Sequence, residues 1–199
     1  MSDSDRAATV SRQTAETTIA ITVDLDGTGQ FEIATGLGFF DHMLSHIAKH
    51  GVFDVSIQAE GDLHVDAHHT VEDTAIALGE AFRGALGDKA GIVRAGSAHM
   101  PLDEALAFAA VDLSGRPYAE LDLRLLGRTV GELPADLLAH FLESFAASLG
   151  ANLHVRTLAG ANDHHKAEAC FKALARALDA ATRVDPRRGG DLPSTKGAL

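Results

Sequence analysis

Hydrophobic positions along this chain switch repeatedly between a period of two and a period near 3.6. Residues 17–25, TTIAITVDL, alternate aliphatic side chains with threonine and aspartate, which predicts a half-buried strand. The DGTG at 26–29 predicts a hairpin turn, and QFEIAT at 30–35 is its returning strand. The remaining patterns predict strands near 53–59, 92–99, 104–112, 118–125 and 152–158, and helices over 39–51, 68–87, 135–149 and 163–183.

The order of these elements is repeated along the chain. In each half, a helix and a strand precede a second helix that opens with H-H-x-x-E, first at 68–72 and again at 164–168. Such self-similarity predicts a duplicated α+β unit, in which each half has a mixed sheet with two helices on one face. We predict one domain of two repeats, about 14–90 and 91–184. The tail at 185–199 has no period, and its composition is typical of a disordered terminus.

Composition narrows the functional classes. The 199 residues carry a net charge of -11, which argues against a nucleic-acid or anionic-membrane partner, because both require clustered lysine and arginine. Cys170 is the single cysteine, so no internal disulfide is possible and a reducing compartment is favoured. No apolar run reaches the length of a membrane helix, and the polar N-terminus is unlike a signal peptide. We therefore expect a cytoplasmic protein.

The two H-H-x-x-E motifs predict a metal site. Adjacent residues on a helix point about 100° apart, so His68 and His69 are better placed to contact two ions than one. His42 and His140 occupy matching positions on the preceding helices and complete each set. Imidazole with carboxylate suits Mn, Fe, Co, Ni or Zn, and octahedral Mn(II) fits such a set although ligand type alone does not choose the metal.

Other polar residues near these motifs leave several interpretations open. His46 and His50 lie one helical turn apart, and either could be a ligand; His46 could equally be a core residue, and His50 a partner of the helix C-terminus. His64 and Asp66 precede the first motif, where they could orient an imidazole. Asp73 could do the same or favour the first turn of its helix.

Several segments resemble the imidazoleglycerol-phosphate dehydratase family, namely GFFDHMLSHIAKHG, GDLHVDAHHTVEDTAIALGEA, NDHHKAEACFKALARAL and LPSTKG. The resemblance runs from about residue 14 to 199 and is to the monofunctional form. It implies a hydro-lyase of histidine biosynthesis that dehydrates D-erythro-imidazole-glycerol phosphate to imidazole-acetol phosphate. It also implies two Mn(II) ions per active site, a duplicated fold like the second domain of ribosomal protein S5, and a 24-subunit octahedral shell with active sites between subunits.

The resemblance also implies roles for individual residues. The metal ligands map onto His42, His68, His69, Glu72, His140, His164, His165 and Glu168. The substrate phosphate maps onto Arg94, Arg116, Lys172, Ser194 and Lys196, and the tail then becomes a segment that orders over the substrate. Glu16 is the preferred proton acceptor and His46 is the second candidate.

The reaction itself poses a chemical problem, because the glycerol proton to be removed has no neighbouring carbonyl to acidify it. Our hypothesis is that the substrate imidazole is held as imidazolate between two ions, so that the electron-rich ring expels the adjacent hydroxyl. Two alternatives use the same ligands. One is a dinuclear hydrolase that activates water, and the other is a non-enzymatic shell stapled by metal ions.

Overall fold

The computed structural model describes residues 6–197, in which two four-stranded sheets enclose four helices. The elements are, in chain order, β1 (Ala7–Gln13), β2 (Thr17–Asp24), β3 (Phe31–Ala34), α1 (Gly38–Gly51), β4 (Asp54–Gly61), α2 (His68–Leu86), β5 (Ala95–Leu102), β6 (Ala105–Asp112), β7 (Tyr118–Asp122), β8 (Thr129–Val130), β9 (Leu133–Pro134), α3 (Asp136–Leu149), β10 (Asn152–Ala159) and α4 (Asp163–Thr182). A 3-10 turn, Pro186–Arg188, follows α4.

The two sheets have the same topology. The first has the order β1-β2-β4-β3 and the second β5-β6-β10-β7. In each sheet the last strand is parallel to its neighbour, while the other pairs are antiparallel. The predicted fold class is confirmed, since each half is a mixed sheet covered by two helices.

The predicted hairpin at 26–29 is wrong. β3 does not return along β2 but pairs with β4 in parallel, so that Ile57 lies between Ile21 on one side and Ile33 on the other. The cause lies in the turn, where the Asp54 carboxylate at the start of β4 accepts hydrogen bonds from the backbone N–H groups of Thr28 (2.7 Å) and Gln30 (2.8 Å). These bonds draw the connection over the end of β4 and place β3 on its far side.

Two sheet elements were absent from the sequence prediction. β1 pairs with β2, but its side chains are exposed or half-buried along the whole strand, so it carries no hydrophobic signal. β8 and β9 form a two-residue ladder inside the connection between β7 and α3, which is too short for any period to show. In both places the hydrophobic pattern is too weak or too short to predict a strand, and only the hydrogen-bonded pairing identifies it.

The four helices fill the space between the sheets and pair across the two repeats. α2 packs on β1, β2 and α3, whereas α4 packs on β5, β6 and α1. Small residues allow this close contact: a side chain at Gly79 would collide with α3, and one at Gly96 would collide with the backbone of α4 near Ala177. None of the helices within residues 6–197 is long and apolar enough to cross a bilayer.

Candidate metal centre

The contact between α1 and α4 builds a first ligand group from His42, His164 and Glu168. Glu168 Oε2 lies 3.3 Å from His42 Nε2 and 3.3 Å from His164 Nε2. One donor atom from each residue lies within 4.8 Å of the others. Two imidazoles and a carboxylate therefore converge at the start of α4.

The contact between α2 and α3 builds a second ligand group from His68, Glu72 and His140. The rings of His68 and His140 stack with centroids 4.6 Å apart, and His140 Nε2 lies 3.3 Å from Glu72 Oε1. That nitrogen is buried and has no hydrogen-bond partner among the described residues. A buried polar atom without a partner is costly, so this nitrogen is suited to a cation.

Each group takes its helices from opposite repeats. His42 precedes the first H-H-x-x-E motif along the chain, but it joins the second motif, and His140 joins the first. The reason is the crossed packing of the helices, because α1 lies on α4 and α2 lies on α3. Sequence spacing placed these histidines on matching helices without showing which motif each would meet.

The second histidine of each motif points elsewhere and is held by a carboxylate. His69 Nδ1 lies 3.0 Å from Asp62 Oδ2, and His165 Nδ1 lies 2.7 Å from Glu104 Oε2. These hydrogen bonds raise the pKa of His69 and that of His165 above the usual value for histidine. A carboxylate on one ring nitrogen fixes the tautomer and leaves the other nitrogen to a ligand. Sequence reasoning missed both carboxylates, and Glu104 is too remote in sequence from His165 to give any signal.

Glu168 contacts two side chains, Lys172 and His46, on the carboxylate oxygen that does not face the other ligands. Lys172 Nζ lies 2.5 Å from Glu168 Oε1, and His46 Nε2 lies 3.5 Å from the same oxygen. Burial opposes ionisation of Glu168, but the hydrogen bond and the charge of Lys172 outweigh it and lower the pKa of Glu168 to about 2. Burial likewise lowers the pKa of His46 to about 4, so this imidazole is neutral near pH 7.

Glu16 lies on the turn between β1 and β2, with its Oε1 3.8 Å from His69 Nε2. The turn is held by buried Asp73, which accepts a hydrogen bond from Thr17 Oγ1 at 2.5 Å. The same carboxylate accepts a bond from Arg12 Nε at 2.8 Å. Asp73 therefore anchors the turn that carries Glu16, and among its described hydrogen bonds none is to an imidazole.

Three of the expected phosphate ligands, Arg94, Ser194 and Lys196, lie near one another at the start of β5. Arg94 is paired with Asp112 through Nε (2.6 Å) and Nη2 (3.0 Å), and its Nη1 donates to the carbonyl of Pro193 (2.8 Å). That contact brings the tail, with half-buried Ser194 and exposed Lys196, to the start of β5. Arg116 is exposed on the turn after β6.

Lys172 lies apart from the other expected phosphate ligands. The backbone N–H of Arg94 donates to the carbonyl of Ala181 near the end of α4, whereas Lys172 lies in the middle of that helix. At 1.5 Å per residue, the two positions are about 14 Å apart along the helix axis. Within one chain, Arg94 and Lys172 are therefore too far apart along α4 to meet at one ligand group.

Comparison with known proteins gives a consistent result. The sequence model of the family "Imidazoleglycerol-phosphate dehydratase" matches residues 35–178. The chain is 56% identical over 199 residues to the imidazoleglycerol-phosphate dehydratase of Roseiflexus sp. (strain RS-1), covering 100% of both chains. It is 57% identical over 194 residues to that of Dehalococcoides mccartyi (strain CBDB1), covering 98% of this chain and 97% of the relative.

Solved structures agree with the sequence relatives. The crystal structure of the enzyme from Pyrococcus furiosus in complex with (S)-C348 superposes with a TM-score of 0.82 at 37% identity, covering 96% of this chain and 100% of that one. The enzyme from Staphylococcus aureus subsp. aureus N315 superposes with a TM-score of 0.81 at 32% identity, covering 90% and 99%.

Proposed function

This chain belongs to the imidazoleglycerol-phosphate dehydratase family, and from that premise we propose how it works as a hydro-lyase of histidine biosynthesis. It dehydrates D-erythro-imidazole-glycerol phosphate to imidazole-acetol phosphate at a site with two Mn(II) ions. The observation that carries the proposal is the pair of ligand groups, each built from two imidazoles and one carboxylate. We place the reaction in the cytoplasm, because a chain with a single cysteine suits a reducing compartment.

The donor atoms fit a divalent ion. Ligands at right angles about 2.1 Å from an octahedral ion are separated by about 3 Å. The 3.3 Å separations between Glu168 Oε2 and its two imidazole nitrogens, and between Glu72 Oε1 and His140 Nε2, are close to that value. An ion between the last two atoms would also satisfy the buried nitrogen of His140. Nitrogen and oxygen donors without any thiolate favour Mn(II) and its neighbours over a structural zinc site.

We propose that His69 and His165 complete the ion sites of neighbouring copies of the chain. Each ring is fixed at Nδ1 by a carboxylate, and neither histidine belongs to the ligand group of its sequence neighbour. Large hydrophobic side chains are exposed at Phe31, Val65 and Leu126, as expected of surfaces that meet other subunits. The resulting assembly is the 24-subunit octahedral shell, with active sites shared between copies.

Ions held by the two ligand groups would stabilise the substrate imidazole in its deprotonated form, as metals do for other bound acids. Glu16 accepts the proton from the glycerol carbon. Its side chain is half exposed and close to His69, so it can reach a substrate bound beside that histidine. His46 is the weaker candidate, because it is buried behind Glu168 and has little room to meet a carbon acid.

The phosphate is held by cations that several copies contribute. Asp112 and the tail carbonyl of Pro193 use three of the five N–H donors of Arg94, which leaves one donor on each terminal nitrogen. Arg116, Ser194 and Lys196 add a second guanidinium, a hydroxyl and an ammonium. Lys172 adds a further ammonium beside Glu168, where it also orients that ligand. A phosphate dianion is well matched by such donors.

The test is turnover of imidazole-glycerol phosphate by metal-stripped protein before and after addition of Mn(II), with particle mass recorded on the same samples. We expect dehydration and a large shell to appear together. Glu16→Gln is the matched control, because it should bind Mn(II) and assemble but not turn over. A shell with no dehydration would support the stapled-shell alternative, and release of phosphate without loss of water would support a hydrolase. Either outcome would overturn the proposal.

A further inference from the structure

The connection between β7 and α3, residues 123–135, has no counterpart in the first repeat. There, β3 is joined to α1 by residues 35–37 alone. We call residues 123–135 the clasp segment. It contains the β8–β9 ladder and buries Val130 and Leu133, so it is a folded element rather than a loose loop.

One end of the clasp segment caps α1. Glu132 Oε1 accepts a hydrogen bond of 2.8 Å from the backbone N–H of Phe39, in the first turn of that helix. This bond lowers the pKa of Glu132, and its charge lies at the positive end of the helix dipole. The helix has no side-chain cap of its own at Leu37. By contrast, α4 is capped locally by Asn162, and Asp66 accepts a hydrogen bond from the first backbone N–H of α2, at His68.

The same end of the segment reaches a ligand through Phe39. The edge of the Phe39 ring contacts the ring of His164, with centroids 5.2 Å apart. A side chain at Gly131 would come within 3.1 Å of Phe39, so the clasp segment closes directly over this residue. Glu132 and Gly131 therefore fix the position of Phe39 against an imidazole of the first ligand group.

The other end of the clasp segment is tied to α4. Asp163 Oδ2 accepts hydrogen bonds from the backbone N–H groups of Leu126 (2.9 Å) and Gly127 (2.6 Å). Lys166 Nζ donates to the carbonyl of Arg124 at 2.5 Å, and Lys166 is only 1% exposed. These anchors flank His164 in sequence, so the segment holds both helices that supply the first ligand group.

We propose that the clasp segment positions the first ligand group, with Glu132 as its positioning residue, and thereby makes the two ion sites unequal. Within residues 6–197, the second group has no matching connection, and α3 begins without a side-chain cap. The inference rests on the proposed function, in that the two groups bind ions. It adds that the ion held by His42, His164 and Glu168 depends on a residue remote from it in sequence.

The test measures Mn(II) affinity from free-ion electron paramagnetic resonance in two backgrounds of the full chain. In His140→Ala, which removes a ligand of the second group, Glu132→Ala should weaken the remaining site about tenfold. Glu132→Gln, which keeps an acceptor for the Phe39 N–H, should stay within about threefold of its parent. In His42→Ala, which removes a ligand of the first group, Glu132→Ala should change affinity less than about twofold.

A second variant distinguishes loss of positioning from a general folding defect. Lys166→Met releases the clasp segment at the Arg124 carbonyl while keeping an unbranched side chain, and it should weaken the same ion site and spare the other. Equal weakening in both backgrounds, or none in His140→Ala, would overturn the proposal. Hydrogen exchange on the metal-free protein is independent of ion binding: Glu132→Ala should speed exchange at residues 38–42. Absence of Mn(II) binding by the unmutated chain would refute the proposed function instead, while the exchange comparison would still decide the role of Glu132.

Discussion

Substitution of Gly79 by alanine tests whether close helix packing sets the spacing of the second ligand group. Gly79 lies on α2, two turns beyond Glu72 and on the same face of the helix. An added Cβ would lie 2.8 Å from the Phe145 carbonyl oxygen and 2.8 Å from Ser148 Cβ, both on α3. Because ordinary contact begins near 3.4 Å, α2 and α3 must separate by about half an ångström.

The energy follows from two opposing contributions. Overpacking a tight interface costs about 1 to 3 kcal/mol, whereas replacing a helical glycine by alanine stabilises by about 1 kcal/mol. The net loss is about 1 kcal/mol, which lowers Tm by about 2 to 4 °C in a chain of this size. The separation also moves His140 on α3 away from Glu72 on α2. Since a site tolerates about 0.5 Å of displacement, Mn(II) affinity of the second group should fall by about threefold.

The assay is thermal unfolding of the metal-free protein at one subunit concentration, with Mn(II) titration in the His42→Ala background, where only the second group is intact. Gly84→Ala is the matched control. It lies on the same helix but is exposed, and among residues 6–197 its Cβ would approach only Ala8 Cβ, at 3.1 Å. It should change Tm by less than Gly79→Ala does and leave Mn(II) affinity unchanged. If Gly79→Ala behaves like Gly84→Ala, the α2–α3 contact does not set the ligand spacing and the reasoning is refuted.

Three further outcomes are expected. Asp73→Asn removes the charge that holds Thr17 and the turn of Glu16, so kcat should fall about tenfold with Mn(II) affinity retained; unchanged steady-state turnover would contradict this. The lowered pKa of Glu132 means that its stabilisation is complete above the unfolded value of 4.5 and is lost as the pH falls through the lower folded value. The stability difference between wild type and Glu132→Gln, from urea unfolding of metal-free protein, should therefore narrow on acidification below pH 4.5; a gap that widens there would contradict the sign. Burial raises the pKa of Cys170 to about 11, so a thiol reagent should label it only after unfolding; rapid labelling of the native protein would contradict its burial.

Local patterns were sufficient for most elements of the fold. In residues 17–25 and in the four helices, the side chains that face the core recur at a regular spacing. That spacing involves residues close together in sequence, so the sequence shows it directly. The H-H-x-x-E motifs were predicted for the same reason, since helix geometry fixes the relative orientation of side chains three and four residues apart. The long, regular elements were therefore predicted within a few residues of their observed ends.

Pairings between distant residues could not be read in this way. β3 lies beside β4 because the Asp54 carboxylate holds the turn at Thr28 and Gln30, and a sequence pattern for a hairpin contains no information about that contact. The carboxylates that orient His69 and His165 come from loops, where no period marks them. Glu132 caps α1 from the other repeat. Its sequence surroundings do not distinguish it from any other glutamate in a loop.

Helix geometry relates residues at short range, so the two H-H-x-x-E motifs were enough to predict two helices with paired imidazoles and a carboxylate. The motifs do not predict that His42 joins the second motif and His140 the first, which follows from the folded arrangement of the helices. That choice depends on the packing of α1 on α4 and α2 on α3, which is fixed by the summed burial of many side chains and by close approach at small residues such as Gly79. No single residue specifies this pairing of the helices, so it cannot be predicted before both sheets pack over them.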